Sequence, residues 1–564
     1  MHLQRLFLFS TAILFFILTT TTGDSSDYDD DGFDSDNQIT SIISNKTMKV
    51  NGPLIVVSNR LPFVLTRNAE GQLTRKHSAG GLVTAVTPVV IDCKGTWIGW
   101  TGLYDLNPNT PIPESDPSDK SPTAGLKSCQ VVPVEMEQKE FEEFYCGCCN
   151  SLFWPLFHSM PDRAEFVVKD WVSYCRVNEK FANCVLDTLR QTIKKLDDAG
   201  DEDTVPLVWI HDYQLLTAGK MIREVCRSEN LRVKLGFFLH IPFPSWDIMR
   251  LLPWGKEVFE GLLAYDVVGF HINDYCSNFI DCCSRQPDCQ VDRTNMMLFV
   301  DGRTVDVRYV PIGIPFNDFV NLSKNAKNPM LDIPEDVKVI LGVDRLDYTK
   351  GIIQRILAYE KFLVRYPEFL GKVVLVQVSV PSRTEIKSYQ MLKEETEQII
   401  RRINDHFSTD DWSPIRYIYG CLSQEDLAAL YRDCRVALVT PLKDGMNLVA
   451  KEFVACQTGD PGVLVLSPFA GAAEQMTEAL MANPYEMEEM VNALHTALEM
   501  PLEERQSRMT ELRHREQLLN VNYWMRSFIS FLKPKEEPKK KFFSRRATNR
   551  TSREKQNVPS MLAK

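Results

Sequence analysis

The sequence has no surplus of positive charge: 64 lysines and arginines face 75 aspartates and glutamates, a formal net charge of -11. Phosphate backbones are held by clustered cations, so this balance argues against nucleic acid as the main partner and leaves any anion binding to local basic spots. The N-terminal apolar stretch, Leu6 to Leu18, is short of the about 20 residues that a membrane span needs. It follows one early charge, Arg5, and runs into Thr19 to Gly23, so residues 1–23 have the shape of a secretory signal peptide or short anchor. Residues 24–50 begin with an acidic, polar run and are expected to be disordered. The 15 cysteines include two tight groups, Cys146/Cys148/Cys149 and Cys282/Cys283/Cys289. Neither brings the two C-x-x-C pairs of a zinc site, so buried free thiols are the better reading and no metal is expected. An odd count leaves at least one cysteine without an intrachain partner. Sequons at Asn45, Asn321 and Asn549 matter only if the chain enters the secretory pathway.

At 564 residues the chain is too long for one core and suits two large α/β domains plus tails. Short apolar runs recur at 54–58, 207–210, 235–239, 267–270 and 307–310, with amphipathic helical patterns at 181–196 and 215–229 between them. Strands apolar on both faces, alternating with helices, imply a parallel sheet covered on both sides. The rhythm restarts after the polar stretch 317–335, with runs at 337–343, 373–380, 415–419, 436–440 and 463–466. The expectation is two Rossmann-like, doubly wound halves, 51–325 and 326–532, with a boundary near 316–336. A last helical stretch, 503–532, is placed to pack across both. The Lys/Arg-rich segment 533–564 reads as a solvated tail, an acidic membrane surface being the weaker alternative.

Ligands of open parallel sheets bind beyond the carboxyl ends of the strands, so the loops there carry the chemistry. The run 337–343 delivers Arg345 and Lys350, a guanidinium fork and a point charge suited to a diphosphate. The run 436–440 leads to Asp444-Gly445-Met446-Asn447-Leu448-Val449 and on to Glu452, with a helix starting near Asn447. Free amides at a helix start suit phosphate, and the two carboxylates accept from sugar hydroxyls. Asp-Gly alone is an ordinary turn; its place after a buried strand, beside Arg345 and Lys350, favours a binding role. In the first half, 54–58 ends at Asn59-Arg60, and Ser78-Ala79-Gly80-Gly81 opens a helix. The run 207–210 ends in His211-Asp212-Tyr213, and 235–239 ends in His240, which makes Asp212 and His240 candidates for acceptor positioning or proton transfer. His271 reads as structural slightly above functional.

With these loops assembled, the chain resembles the trehalose-6-phosphate synthase family of retaining glycosyltransferases, which have the GT-B fold. The resemblance runs from about Pro53 to Phe528 and rests on VVSNRLP, SAGGL, Trp97-Ile98-Gly99-Trp100, LFWPLFH, WIHDYQLL, FFLHIPFP, GVDRLDYTKGI, VSVPSR and DGMNLVAKEF, in that order. It implies two Rossmann-like domains facing a cleft and metal-free transfer of glucose from UDP-glucose to glucose 6-phosphate. Arg60, Tyr145, Trp154 and Arg383 match positions around the phosphorylated acceptor. Gly81, Arg345 and Lys350 match contacts to the donor diphosphate, and Asp212 and His240 match the sugar-facing pair. Asp444 and the backbone from Gly445 to Val449 match the glucose- and phosphate-binding loop, Glu452 the ribose contact, and Leu422 falls near the uracil site.

The resemblance implies same-face attack, the departing phosphate oxygen taking the acceptor proton, and an α,α-1,1 product. A phosphatase or bifunctional enzyme would need an aspartyl nucleophile at the end of an apolar strand, and the run 27–31 follows none. Another GT-B enzyme, such as a glycogen or sucrose-type synthase, is disfavoured by the Arg60, Tyr145, Trp154 and Arg383 set. A catalytically silent sugar-phosphate sensor of the same fold stays open, as do a homo-oligomer and a trehalose-6-phosphate phosphatase partner. The family implies cytosol, whereas residues 1–23 favour membrane targeting.

Overall fold

Strands that are apolar on both faces form the centres of two separate sheets. A computed structural model describes residues 52–533 except 78–80, 105, 107–109, 117, 120, 328–332 and 335. The signal-like segment, the acidic segment, the sequons at Asn45 and Asn549 and the basic tail beyond Lys533 lie outside the described residues. The Asn321 sequon stands exposed on a helix.

The first sheet starts with β1 (Leu54–Arg60), after which β2 (Phe63–Arg67) and β3 (Leu73–His77) form a separate hairpin. It continues with β4 (Thr96–Trp100), β5 (Val131–Val134), β6 (Leu207–His211), β7 (Lys234–Phe238) and β8 (Val267–Phe270). The strands β9 (Gln290–Asp292), β10 (Met297–Val300) and β11 (Arg303–Tyr309) complete its nine. The spatial order is β5-β4-β1-β6-β7-β8-β11-β10-β9, parallel except that β10 runs against both neighbours. The second sheet contains β12 (Lys338–Arg345), β13 (Val373–Val380), β14 (Ile415–Tyr419), β15 (Val436–Val439), β16 (Val463–Leu466) and β17 (Leu480–Met481). All its pairings are parallel, in the order β14-β13-β12-β15-β16-β17.

Among the parallel strands each order reverses direction at one place, between β1 and β6 in the first sheet and between β12 and β15 in the second; the later turn back from β11 to β9 is the antiparallel meander. Each reversal opens a crevice at the strand ends, the general ligand position of doubly wound sheets. Strand order therefore selects four loops, those after β1, β6, β12 and β15, as the places to look.

The helices around the sheets include α1 (Gly81–Asp92), α2 (Val168–Asp198), α3 (Phe316–Asn325), α4 (Ile352–Arg365), α5 (Leu448–Cys456), α6 (Leu502–Leu518) and α7 (Val521–Leu532). The helix α2 is longer than the 181–196 pattern because Trp171, Tyr174 and Val177 extend its buried face by more than two turns. The division at 325/326 puts α3 with the first sheet, but α3 packs against α5, α6 and the helix Gln424–Asp433 of the second. Arg432 fixes it there, donating to the carbonyls of Ser323 at 2.6 Å and Ala326 at 2.8 Å.

The 503–532 stretch is two helices. α6 lies against α5, while α7 returns to the first sheet against β7 and β8. Glycines make the room: a Cβ at Gly236 would stand 2.8 Å from the Leu532 side chain, and one at Gly269 2.5 Å from that of Phe528. Trp209 of β6 stacks on Phe528 at 4.7 Å. The last helix thereby ties the end of the chain to the sheet where it began. Among the described residues no helix is long and apolar enough to cross a membrane.

Candidate functional site

The loop after β12 is built round a glycine. Gly351 has φ 65°, and a Cβ there would stand 2.1 Å from the Thr440 carbonyl oxygen, so the turn closes tightly on β15 only without a side chain. The turn brings Lys350 Nζ 2.6 Å from Asp444 Oδ2. Burial pushes the Asp444 carboxyl up, but Lys350 and the bond from Asn447 Nδ2 at 3.1 Å outweigh it and hold it below the usual carboxylate range.

Beneath the turn, the fully buried Arg355 of α4 gathers the strand ends. It donates to Asp344 of β12 at 2.5 Å, Gln377 within β13 at 3.0 Å and Thr440 just after β15 at 3.1 Å, and to the Lys350 carbonyl at 3.5 Å. This residue has no signature in the sequence, where it reads as one more helix arginine.

The loop after β15 is pressed against the first sheet's strand ends. A Cβ at Gly445 would stand 2.4 Å from the His240 carbonyl oxygen, and Tyr275 donates to the Asp444 carbonyl at 3.1 Å. Asn447, at φ 82°, caps α5 by accepting from the Ala450 amide at 3.2 Å. A helix's first amides have no partner within it, so those of Leu448 and Val449 stand at a free helix start facing this loop. Met446 is buried below, its carbonyl accepting from the Ala472 amide at 2.8 Å. Further along α5, Glu452 accepts from the Tyr431 hydroxyl at 3.0 Å, and burial raises its carboxyl to about 7. Leu422, half-buried, stands in the loop between β14 and the helix Gln424–Asp433.

On the first sheet, a register shift between Val57 and Arg60 re-aims the end of β1. The guanidinium of Arg60 lies 5.3 Å from the Trp100 ring and 5.5 Å from the Tyr145 ring. Tyr145 belongs to the π-helix Glu142–Phe153, a wide-turned segment that also holds the three neighbouring cysteines. Cys148 and Cys149 are buried, burial pushes both thiols well up, and all 15 cysteines are free. Among the described residues no group of three or more His, Cys, Asp or Glu is arranged to hold a metal.

Trp154 directly follows the π-helix and stands between two cations of the second sheet, Arg383 at 3.9 Å and Arg345 at 5.2 Å from its ring. Arg383, in the loop after β13, also donates to Asp347 at 2.8 Å and Tyr213 at 3.3 Å. Asp212, after β6, has φ 75°, and its Oδ1 accepts from the His240 amide at 3.1 Å. Burial raises the Asp212 carboxyl to about 6 against the pull of the His240 and Tyr213 amides, Arg345 and Arg383.

Burial disfavours the charged form of the histidines at these strand ends. His211 Nδ1 and His240 Nε2 lie 3.1 Å apart, and burial pushes both rings well below their usual value. His271 packs 5.4 Å from His240, and burial lowers it to about 3, against the structural reading only in that it shares this cluster. His158, a residue that sequence reasoning passed over, is lowered to about 4 by burial. Its Nδ1 is 2.7 Å from the Trp154 carbonyl, an acceptor only, so the proton sits on Nδ1 and Nε2 keeps a lone pair.

The structure thus brings Trp154, Asp212, His240, Arg345, Lys350, Arg383, Asp444 and the start of α5 to one cleft between the sheets. Arg60 with Tyr145, and Glu452 with Tyr431, form flanking pairs. Gly81 opens α1, and the Ser78, Ala79 and Gly80 part of its loop lies outside the described residues. Besides Arg355 and His158, the sequence reading missed Asp347, Tyr389, whose hydroxyl donates to Asp347 at 3.2 Å, and Asn150, which accepts from the Tyr213 hydroxyl at 2.9 Å. Only Asp347 had a signal, its place between Arg345 and Lys350.

A family model for glycosyltransferase family 20 matches residues 52–534. The chain is similar to the UDP-forming α,α-trehalose-phosphate synthase of Schizosaccharomyces pombe, 37% identical over 487 residues, 85% of this chain and 90% of that one. It is 36% identical over 488 residues to the synthase A of Dictyostelium discoideum, where the match spans 85% of this chain and 62% of the relative's length. The Burkholderia xenovorans UDP-forming synthase solved in complex with glucose-6-phosphate superposes with a TM-score of 0.73 at 32% identity, covering 85% of this chain and 100% of that one. A match across both sheets and the cleft between them establishes that the chain belongs to glycosyltransferase family 20 and has the GT-B fold.

Proposed function

We propose that this enzyme transfers glucose from UDP-glucose to glucose 6-phosphate with retention, giving α,α-trehalose 6-phosphate and UDP. The observation that carries the reading is the sharing of one indole by two guanidiniums, Arg383 at 3.9 Å and Arg345 at 5.2 Å from the Trp154 ring. Adjacent cations in a cleft suit two anionic substrates that meet there, a nucleotide diphosphate and a phosphorylated sugar. The relatives are UDP-forming synthases and one of them was solved in complex with glucose-6-phosphate, which agrees with both substrates.

In this reading the second-sheet half, 326–532 together with α3 but without α7, is the donor half, and the first-sheet half, 51–325 together with α7 but without α3, is the acceptor half. Arg345, Lys350, Gly81 and the Leu448 and Val449 amides hold the diphosphate. Asp444 orients the glucose, with the Gly445 to Asn447 backbone against it, Glu452 takes the ribose and Leu422 lies by the uracil. Arg60, Tyr145, Trp154 and Arg383 hold the acceptor phosphate and ring, with Asp212 accepting from an acceptor hydroxyl.

The bond from glucose C1 to the diphosphate oxygen breaks as the acceptor's anomeric oxygen attacks the same face. The acceptor proton goes to the departing phosphate oxygen, and Arg345, Lys350 and the α5 amides stabilise the charge that develops there. These groups supply the positive charge that a metal supplies in other transferases, so the transfer is read as metal-independent. His240, neutral by burial, contributes hydrogen bonding and shape to the sugar site rather than charge.

Fifteen free thiols fit a reducing compartment, and both substrates are cytosolic metabolites, which favours the cytosol. The product is a phosphate ester, so a trehalose-6-phosphate phosphatase is the partner that would consume it. The test is UDP release by purified residues 40–535 given UDP-glucose and glucose 6-phosphate. Release that needs both sugars is expected; no release with any donor would leave the silent sugar-phosphate sensor as the better reading.

A further inference from the structure

Five donors converge on one buried carboxylate to which the proposed reaction gives no role. Asp347 has no solvent exposure. Its Oδ1 accepts from the Thr349 amide at 3.0 Å, the Thr349 hydroxyl at 2.9 Å and Trp154 Nε1 at 3.4 Å. Its Oδ2 accepts from Arg383 Nη1 at 2.8 Å and the Tyr389 hydroxyl at 3.2 Å. A carboxylate has about four lone-pair positions, so this one is saturated and, being enclosed, touches no substrate. Burial disfavours its charge, but Arg383, Arg345 and Lys350 outweigh that and hold the carboxyl well below its usual value.

The two oxygens do different work. Oδ1 caps the tight turn Tyr348–Lys350, an ordinary structural task. Oδ2 serves no turn. It fixes Arg383, whose backbone sits at φ 50°, a conformation that a non-glycine residue holds only when its surroundings impose it. The far side of the Arg383 guanidinium reaches Tyr213, whose hydroxyl donates to Asn150 at 2.9 Å, while Asn150 donates to the Tyr145 carbonyl at 2.7 Å. Arg383 and Tyr389 come from the second-sheet side, whereas Trp154, Tyr213, Asn150 and Tyr145 come from the first. Asp347 bonds to both sets, to Arg383 and Tyr389 on one side and to Trp154 on the other.

We propose that Asp347 is a positioning residue that assembles the acceptor side of the cleft, holding Arg383 and Trp154 together across the two sheets. Acceptor binding then depends on this carboxylate far more than nucleotide binding does. The inference rests on the acceptor role given above to Arg383 and Trp154.

Asp347→Asn separates the two tasks. The amide oxygen can still cap the turn, but the NH2 group then stands where Oδ2 stood and faces the N–H of Arg383, donor against donor. In the full-length protein, the KM for glucose 6-phosphate is expected to rise about tenfold or more. The Kd for UDP, measured by calorimetry, should stay within about twofold, and adding Arg383→Gln should leave the KM no higher than Arg383→Gln alone gives. Equal losses for both substrates, or losses that multiply in the double variant, would overturn the proposal. If Asp347→Asn fails to bind UDP, Tyr389→Phe, which removes one donor from Oδ2 and one partner from Arg383, carries the test. A rise confined to the glucose 6-phosphate KM supports the role, and an unchanged KM refutes it. Wild-type protein that releases no UDP from the two sugars would refute the reaction instead, so the two failures are told apart.

Discussion

The two sets of strand ends that meet in the cleft solve the same problem with opposite materials. Beyond the second sheet, charge answers buried charge: Lys350 with Asp444, Arg355 with Asp344 and Arg383 with Asp347. Beyond the first sheet stand His211, His240 and His271, all neutral by burial and packed among Trp209, Phe238 and Trp524. A leaving diphosphate gains negative charge as the bond breaks, so its side needs fixed cations that do not reorganise. A sugar gains little charge on its hydroxyls, and neutral hydrogen bonds with aromatic walls suffice to orient it. The contrast is a division of labour between electrostatics and shape.

The largest effect is expected at the most buried of these ion pairs. Arg355→Met leaves Asp344, whose carboxyl burial already pushes up, enclosed without its partner, and should cost about 3–5 kcal/mol of stability in denaturant unfolding. A loss of the size seen for a surface pair would mean that the charged scaffold is not what holds these strand ends.

Next in size is the donor charge itself. Lys350→Ala and Arg345→Ala are each expected to lower kcat by about 10²–10³-fold, read from UDP release at saturating substrates. Near-normal turnover of either variant would remove that cation from the account. Gly445→Ala tests where the two sides touch, because its Cβ would stand 2.4 Å from the His240 carbonyl oxygen. Forcing the loop away should lower kcat by about tenfold to a hundredfold, while a fully active variant would show that the sheets need not approach this closely.

The smallest expected effect concerns Glu452, raised by burial to about 7 from an ordinary value of 4.5. The folded state then binds a proton that the unfolded state has released, so stability is fully present below about 4.5 and is lost as pH rises through about 7. Glu452→Gln should flatten that part of the stability profile measured by thermal unfolding, and an unchanged slope would place the dependence elsewhere.

Much of the fold is written in runs apolar on both faces, which is why β8, β13 and β16 begin and end where the pattern does. The hairpin strand β3 and the edge strand β9 carry no such run. With residues such as Thr74, Lys76 and Gln290 in them, they are recognisable only by the partners beside them. The π-helix follows neither the helical nor the strand period, so the wide turn leading to Tyr145 and Trp154 leaves no pattern to read.

In the cleft, the visible residues were those at the ends of apolar strands. Asp347 and Arg355 escaped because a buried charge looks like a surface charge until its partners are known. What separates Arg355 from the exposed Arg345 is Asp344, Gln377 and Thr440, none of them near it in the chain.

The most direct test of transfer between two phosphorylated substrates is the proton NMR spectrum of the product made from UDP-glucose and glucose 6-phosphate. The account predicts a 1,1-linked disaccharide phosphate in which both anomeric protons show the small coupling of the α configuration. A β coupling at the transferred glucose, or free glucose and UDP with no disaccharide, would contradict it.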